Sequence, residues 1–232
     1  MPLVTPRASL VLSGREGEMT ALDEDSIGFT VAETDRLVIH LFAMVADGLA
    51  KATTAFLDHD REAARRLIAA DTEVDALQEE VEELVEHELA TRAQSDGNLP
   101  FLLSVLRIVP ELERSGDLVE HIALRTAHGL VPQLSVKARG LIQAMADVGV
   151  EMWHAAAAAY AEHDPGAAER LRAQDDILDD LHVSLTAELS QGTLPPAAAI
   201  EMGLLARFYE RLGDHAVNVT RKVRPLAQTA RP

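Results

Sequence analysis

The 232-residue chain contains no cysteine, which excludes disulfides, thiolate metal ligands and a cysteine nucleophile. Aromatic residues are scarce, 3% of the chain against 47% hydrophobic residues in all. The apolar content leans instead on Ala, Leu and Val, which favours close-packed helices over sheets and predicts an all-α fold. Basic residues are outnumbered, 21 Lys and Arg against 38 Asp and Glu, for a formal charge of −17. Such a field repels nucleic-acid phosphates and anionic headgroups, so no nucleic-acid partner is expected. Long hydrophobic runs are missing too. The apolar stretch Ala8 to Leu12 is interrupted by Ser9 and is too short for a signal-peptide core, and Ala155 to Ala159 lies between His154 and Glu162. A cytoplasmic protein without direct membrane insertion is the expectation. There is no glycine-rich phosphate loop, HExxH motif or nucleophile triad, so no enzyme is expected.

Breakers and caps divide the rest. Residues 1–30 lack a sustained hydrophobic period and read as a mobile arm or a short added element. From Val31 the pattern is helical and predicts six helices. The first runs from about Ala32 to Asp58, and the second from a cap at Asp60 to about Arg92. The turn Gln94 to Pro100 opens a third, with Pro100 near its first position, and this ends near His128-Gly129. A fourth covers about Leu134 to Glu162. Asp164-Pro165 caps a fifth that reaches about Ser190, and Thr193 or its neighbours open a sixth that reaches about Val223, with Pro225 as the stop.

The chain is duplicated. Phe56-Leu-Asp-His-Asp60, with Ala63-Ala64 and Arg66-Leu67, recurs as Tyr160-Ala-Glu-His-Asp164, with Ala167-Ala168 and Arg170-Leu171. Asp71 and Asp75 correspond to Asp175 and Asp179 at the same offset, and Glu113-Arg-Ser-Gly-Asp117 recurs as Glu210-Arg-Leu-Gly-Asp214 at a slightly smaller one. The reading is two tandem three-helix bundles at 31–130 and 131–225, with a tail at 226–232.

Each half therefore holds two acidic pairs spaced i, i+4: Asp71 with Asp75 and Glu113 with Asp117, then Asp175 with Asp179 and Glu210 with Asp214. On a helix this spacing stacks the carboxylates about 5 to 6 Å apart at their β-carbons, where they repel unless a cation sits between them. Hard oxygen donors suit Mg²⁺, Mn²⁺, Ca²⁺ or iron, whereas zinc more often recruits His or Cys. The alternative is a set of ordinary solvated carboxylates. On the sixth helix the spacing places Leu204, Phe208, Leu212, Ala216 and Val219 on a core stripe and Glu210, Asp214 and Asn218 opposite it. Glu113 lies near the angular position of Leu106 and Val109, so its pair is not cleanly outside. Gly116 and Gly213 recur at matching mid-helix positions, a sign of close helix approach or of simple inheritance through the duplication. Arg114 and Arg211 read as ion-pair partners of nearby acids. A di-iron bundle draws on Glu-x-x-His pairs, a pattern met by Glu151-Met-Trp-His154 and more weakly by Asp179-Asp-Leu-His182. His59 and His163 sit in turns, where a local structural role is expected.

The segments Glu111-Leu-Glu-Arg-Ser-Gly-Asp117 and Tyr209-Glu-Arg-Leu-Gly-Asp-His-Ala-Val-Asn218 resemble the repeated signature of the PhoU family of phosphate-uptake regulators, in order and in spacing, over about residues 32–225. The resemblance implies a cytoplasmic negative regulator of phosphate uptake and phosphate-starvation signalling, recruited to the inner face of the membrane as a homodimer. Its partners would be a phosphate ABC transporter and a sensor histidine kinase. It also implies a divalent or trivalent metal ion, magnesium, manganese, iron or zinc, on Glu113, Asp117, Glu210 and Asp214, with Asp71, Asp75, Asp175 and Asp179 facing them. The chain departs from the pattern at Pro110, at Ser115, at His121 where the second half has Asn218, and at Asn98-Leu-Pro-Phe101. The other reading is a helical-bundle carboxylate metalloprotein, either a di-metal enzyme or a metal store.

Overall fold

The structure, a computed structural model, describes residues 16–92, 98–191 and 194–223, with side chains from residue 31 onward and up to residue 90 in the first stretch. Every element among them is a helix: α1 (Glu16–Asp58), α2 (Arg61–Arg92), α3 (Leu99–Ala127), α4 (Val136–Ala161), α5 (Ala167–Leu189) and α6 (Pro196–Val223). The all-α expectation holds. α1 begins at Glu16 and not near Ala32, so half of the segment read as an arm continues the first helix. Its weak hydrophobic period does not prevent this, because helix propagation needs no buried stripe once a stable turn follows. Residues 1–15, Thr193 and the tail at 226–232 lie outside the described residues.

The duplication is visible in the turns. α1 ends with Asp60 N–H bonded to Ala55 O at 2.8 Å and His59 N–H to Phe56 O at 3.3 Å, and α4 ends with Asp164 N–H to Ala159 O at 2.9 Å and His163 N–H to Tyr160 O at 3.2 Å. This is one helix-terminating motif used twice, with His59 at φ 58° and His163 at φ 51° in the left-handed conformation that it requires. The two histidines are thus turn residues, as expected. Asp60 Oδ1 accepts from the amides of Glu62 and Ala63 at 3.0 and 2.9 Å and caps α2. Asp164 Oδ1 accepts from Gly166 N–H at 2.8 Å, and α5 starts only at Ala167. Pro165 therefore lies ahead of the helix and not at its first position. α3 runs through Pro110 as a single element.

α1 packs on α2, α3 and α4, while α4 packs on α5 and α6, and α3 meets α6. The inner layer is thus α1, α3, α4 and α6, with α2 and α5 on the flanks. One core runs through both halves. Phe42 of α1 lies 5.5 Å from Tyr160 and 6.2 Å from Trp153 of α4, centroid to centroid. Tyr209 Oη donates to Thr53 Oγ1 at 2.7 Å, binding α6 to α1. One 18-residue window within Val31–Asp58 of α1 has a mean hydropathy of 1.3, so by length and composition alone this helix is apolar enough to cross a membrane. Its Leu37, Val38, Leu41, Phe42, Val45 and Leu49 are all buried against the other helices, which accounts for that hydropathy within the bundle.

α3 and α6 run antiparallel. Glu111 meets His215 and Lys222, whereas Arg125, farther along α3, meets Glu201 and Phe208, earlier on α6. These pairings place Gly116 and Gly213 level with each other, at the pseudo-twofold axis that relates the halves.

Candidate functional site

The signature glycines mark where the flanking helices come closest. At Gly213 an added β-carbon would lie 2.6 Å from Leu178 Cδ2 and 2.7 Å from Asp175 Oδ1. At Gly116 it would lie 3.2 Å from Val74 Cγ1 and 3.6 Å from Asp71 Oδ1. The missing side chain at Gly213 is what admits Asp175 and Leu178 of α5 so close to α6, whereas at Gly116 only Val74 of α2 is tight and Asp71 stands at an ordinary contact distance. Close approach therefore explains Gly213 and only in part Gly116.

The acidic residues predicted as sites gather in two niches, α2 with α3 and α5 with α6. Asp71 is pushed up to about 6, first by burial and then by Glu120, Asp75, Asp117 and Glu113. Asp175 is pushed up to about 6 as well, by burial and then by Asp214, Asp179 and Glu210. Burial, followed by Asp117, raises Glu113 against the pull of Arg114. Burial also raises Glu210, against Arg207 and with Asp214 adding to it. Each niche is thus a half-buried carboxylate set whose members hinder one another's ionisation. Glu120, absent from the sequence reading, is the strongest charged neighbour of Asp71.

The donors are all oxygen, and Glu210 Oε2 is buried without a hydrogen-bond partner although Arg207 pairs with the other oxygen. Both features fit a hard cation. Among the described residues, however, no group of three or more His, Asp or Glu side chains is gathered as a ready metal site. Asp75, Asp179 and Asp214 are exposed, while Asp71, Glu113, Asp117, Asp175 and Glu210 are half-buried.

The stripe expected on α6 holds at Leu212, Ala216 and Val219, all buried, and fails at its start, where Leu204 is exposed and Phe208 half-buried while Leu205 and Tyr209 are buried; Glu210 lies on the flank toward α5 and not opposite the core. The shift arises because α6 is covered from three sides, by α3, α4 and α5, so its buried arc is wider than a single stripe. Glu151 and His154 are exposed on α4 and do not point into the bundle, as a di-iron site requires. Arg114 lies 3.7 Å from Glu111, the ion pair expected for it.

A group that the sequence reading passed over ties the halves together. Glu111, 8% exposed, accepts from His215 Nδ1 and from Lys222 Nζ, each at 2.5 Å. Burial raises its pKa, but the hydrogen bonds from Lys222 and His215 outweigh that and hold the carboxyl below its ordinary range. A signal was available: by the offset of the two signatures, Glu111 aligns with Phe208, His215 with Leu118 and Lys222 with Arg125. A charged residue replaces an apolar one at equivalent places of the repeat.

The model of the PhoU domain matches residues 38–126 and again residues 142–223. The phosphate-specific transport system accessory protein PhoU homolog 2 of Mycobacterium tuberculosis is 35% identical over 180 residues, covering 75% of this chain and 83% of that protein. Homolog 1 of Mycobacterium leprae is 30% identical over 200 residues, covering 83% and 88%. The crystal structure of PhoU from Pseudomonas aeruginosa superposes with a TM-score of 0.78 at 20% identity, over 87% of this chain and 98% of that one.

Proposed function

The chain belongs to the PhoU family, and from that membership we propose that it is an accessory regulator of phosphate-specific transport that keeps uptake and the starvation response down when phosphate is plentiful. Family members are regulatory accessory proteins, and the chain is not an enzyme. The observation that carries the reading is the doubled Glu-Arg-x-Gly-Asp signature, which the fold sets level across the α3–α6 seam with an acidic niche beside each copy. In this reading the protein is a homodimeric adaptor at the inner face of the membrane, between a phosphate ABC transporter and a sensor histidine kinase. A hard cation would be held in the second half by Asp175, Asp179, Glu210 and Asp214, and in the first by Asp71, Asp75, Glu113 and Asp117. It would supply charge neutralisation to carboxylates that now repel one another. The orphaned Glu210 Oε2 makes the second niche the better fit.

The test is alkaline phosphatase or transporter expression in a deletion strain on abundant phosphate, complemented by the wild-type chain or by Glu210→Ala with Asp214→Ala. Derepression corrected only by the wild type supports regulator and niche together. Correction by both chains keeps the regulator and removes the niche from its action. Expression unaffected by the deletion defeats the regulatory reading.

A further inference from the structure

One space is open in the first half and filled in the second. Between α1, α2 and α3 lies a cleft of about 250 Å³, with the buried Val45, Val74, Gly116 and Val119 as its floor and the half-buried Met44 and Leu67 as apolar walls. Gly48 lines it as well. In the second half the repeat sets Met152 at the place of Gly48 and Leu178 at the place of Val74, and both larger side chains are fully buried.

The charges change with the space. Asp71, Glu73 and Glu120 line the cleft, and although Asp71 has its counterpart in Asp175, Glu73 and Glu120 stand where the second half has Ile177 and Val217. Asp71 and Glu120 are half-buried. None of these three carboxylates has an ion pair among the described residues, whereas Asp47, exposed at the mouth near His40, is matched by Lys51 at 3.7 Å. The unmatched charge is negative. Burial and then Glu120 push Asp71 up to about 6, which is the behaviour of a carboxylate with no cation beside it.

From this arrangement we propose that the cleft binds a small organic cation, with an ammonium group held by Asp71 and Glu120 and an apolar body resting on Met44, Leu67, Val74 and Val119. Pockets for small molecules are built in this way, mostly apolar with a few polar groups that fix orientation. The size agrees, since an apolar cavity of about 150 Å³ holds benzene, and the cleft has room for such a ring with an aminoalkyl arm. An inorganic cation would engage the carboxylates and leave the apolar floor wet, and no three of these side chains are gathered as a ready metal site. A neutral molecule would desolvate the carboxylates without matching them, and an anion would be repelled. The cleft shares Asp71 with the first acidic niche but opens toward α1, and the inference stands whether or not either niche holds a metal.

The test uses the full isotope-labelled chain and phenethylamine, which is cationic at about pH 7.5, with phenethyl alcohol and phenylpropanoate as its neutral and anionic matches. The amides of Gly48 and Gly116 report the cleft, and that of Gly213 reports the second half. In a nuclear magnetic resonance titration the amine should shift the first two saturably, with a Kd of about 1 mM or below, and leave the third in place. Both matches should bind at least about tenfold more weakly. Asp71→Asn with Glu120→Gln should weaken the amine about tenfold and leave the alcohol unchanged. Gly48→Met with Val74→Leu and Val119→Ala, which copies the packing of the second half, should weaken it at least about tenfold by filling the space. Far-UV circular dichroism melts verify that the variants fold, and the charge variant decides alone if the packing variant does not. The proposal is overturned if either folded variant keeps full affinity, if the alcohol binds as tightly as the amine, if the shifts spread over the acidic surface, or if none saturates below about 20 mM. None of these failures touches the regulatory reading, which is read in expression.

Discussion

The two ends of the α3–α6 seam descend from one ancestral contact and are now held by different forces. At one end the buried Glu111 takes hydrogen bonds from His215 and Lys222. At the other, Arg125 lies 4.4 Å above the Phe208 ring, which also meets the His121 ring at 5.4 Å, and pairs with Glu201 at 3.3 Å. Position for position, an ion-paired carboxylate stands where its counterpart has an aromatic ring. The same backbone arrangement accepts either, so the seam is set by helix packing and only tuned by charge.

The largest effect expected is at the charged end. Glu111→Ala leaves the buried His215 and the half-buried Lys222 without their acceptor and should cost about 3 kcal/mol in chemical denaturation. The intact group also gives a pH signature. Because the folded pKa of Glu111 is depressed, its stabilisation is present above the unfolded value of 4.5 and is lost as pH falls through the folded one. Phe208→Ala at the other end should cost about 2 kcal/mol, with little salt or pH dependence. If both variants responded equally to acid, the contrast between the ends would be broken.

The glycine niches give a smaller contrast. Gly213→Ala must displace Leu178 and Asp175, and even after the gain in helix propensity it should lose about 1 kcal/mol. Gly116→Ala meets only Val74 closely and should be neutral or gain about 0.5 kcal/mol. Around Gly116 there is also a cleft of about 250 Å³, lined by Met44, Gly48, Leu67, Val74 and Val119. The duplication replaces Gly48 by Met152 and Val74 by Leu178; Leu178 crowds Gly213 and Met152 touches it.

In their acids the halves agree. The pKa values of Asp71 and Asp175 are raised to about 6, so each costs stability as pH rises from its unfolded value toward 6, and the cost persists above that. Asp175→Asn should therefore stabilise by about 1 kcal/mol at pH 7.5, discounted for solvent screening of a half-exposed group, with almost no effect at pH 4. Melting temperatures at the two pH values check this. The smallest effect is expected when one end of the seam is copied onto the other. Glu111→Phe with His215→Leu and Lys222→Arg should fall within about 1 kcal/mol of the wild type, since apolar replacement of the buried Glu111–His215 pair is often neutral and the half-exposed arginine can stack on the new ring as Arg125 does on Phe208.

Much of this was legible in the sequence. Six helices, their turn residues and the paired carboxylates follow from periodicity, caps and the internal repeat, since these are local properties. The reason for Gly116 and Gly213 was half legible: recurrence pointed to close approach, but not to which side chain fills the space. Glu111 was hidden because a carboxylate in a helix reads as exposed unless its partners, about 100 residues away, are known. The face of α6 was misjudged for a related reason, since Leu204 and Leu205 differ by one position and only the third neighbouring helix decides which is covered. The start of α1 was missed because Glu16 to Thr30 carries no apolar stripe.

The continuous core has one more consequence. The tether between α3 and α4 is short, and the surfaces it brings together include Phe42, Trp153, Tyr160 and Tyr209, all buried. Each half is therefore the other's missing subunit, and the chain is a dimer fused to itself at very high effective concentration. A second half expressed alone would lack cover for Trp153 and Tyr209 and should recover it by pairing with its own twin. Breaking the tether between Leu130 and Leu134 should, in contrast, leave two fragments that reassociate into the intact fold.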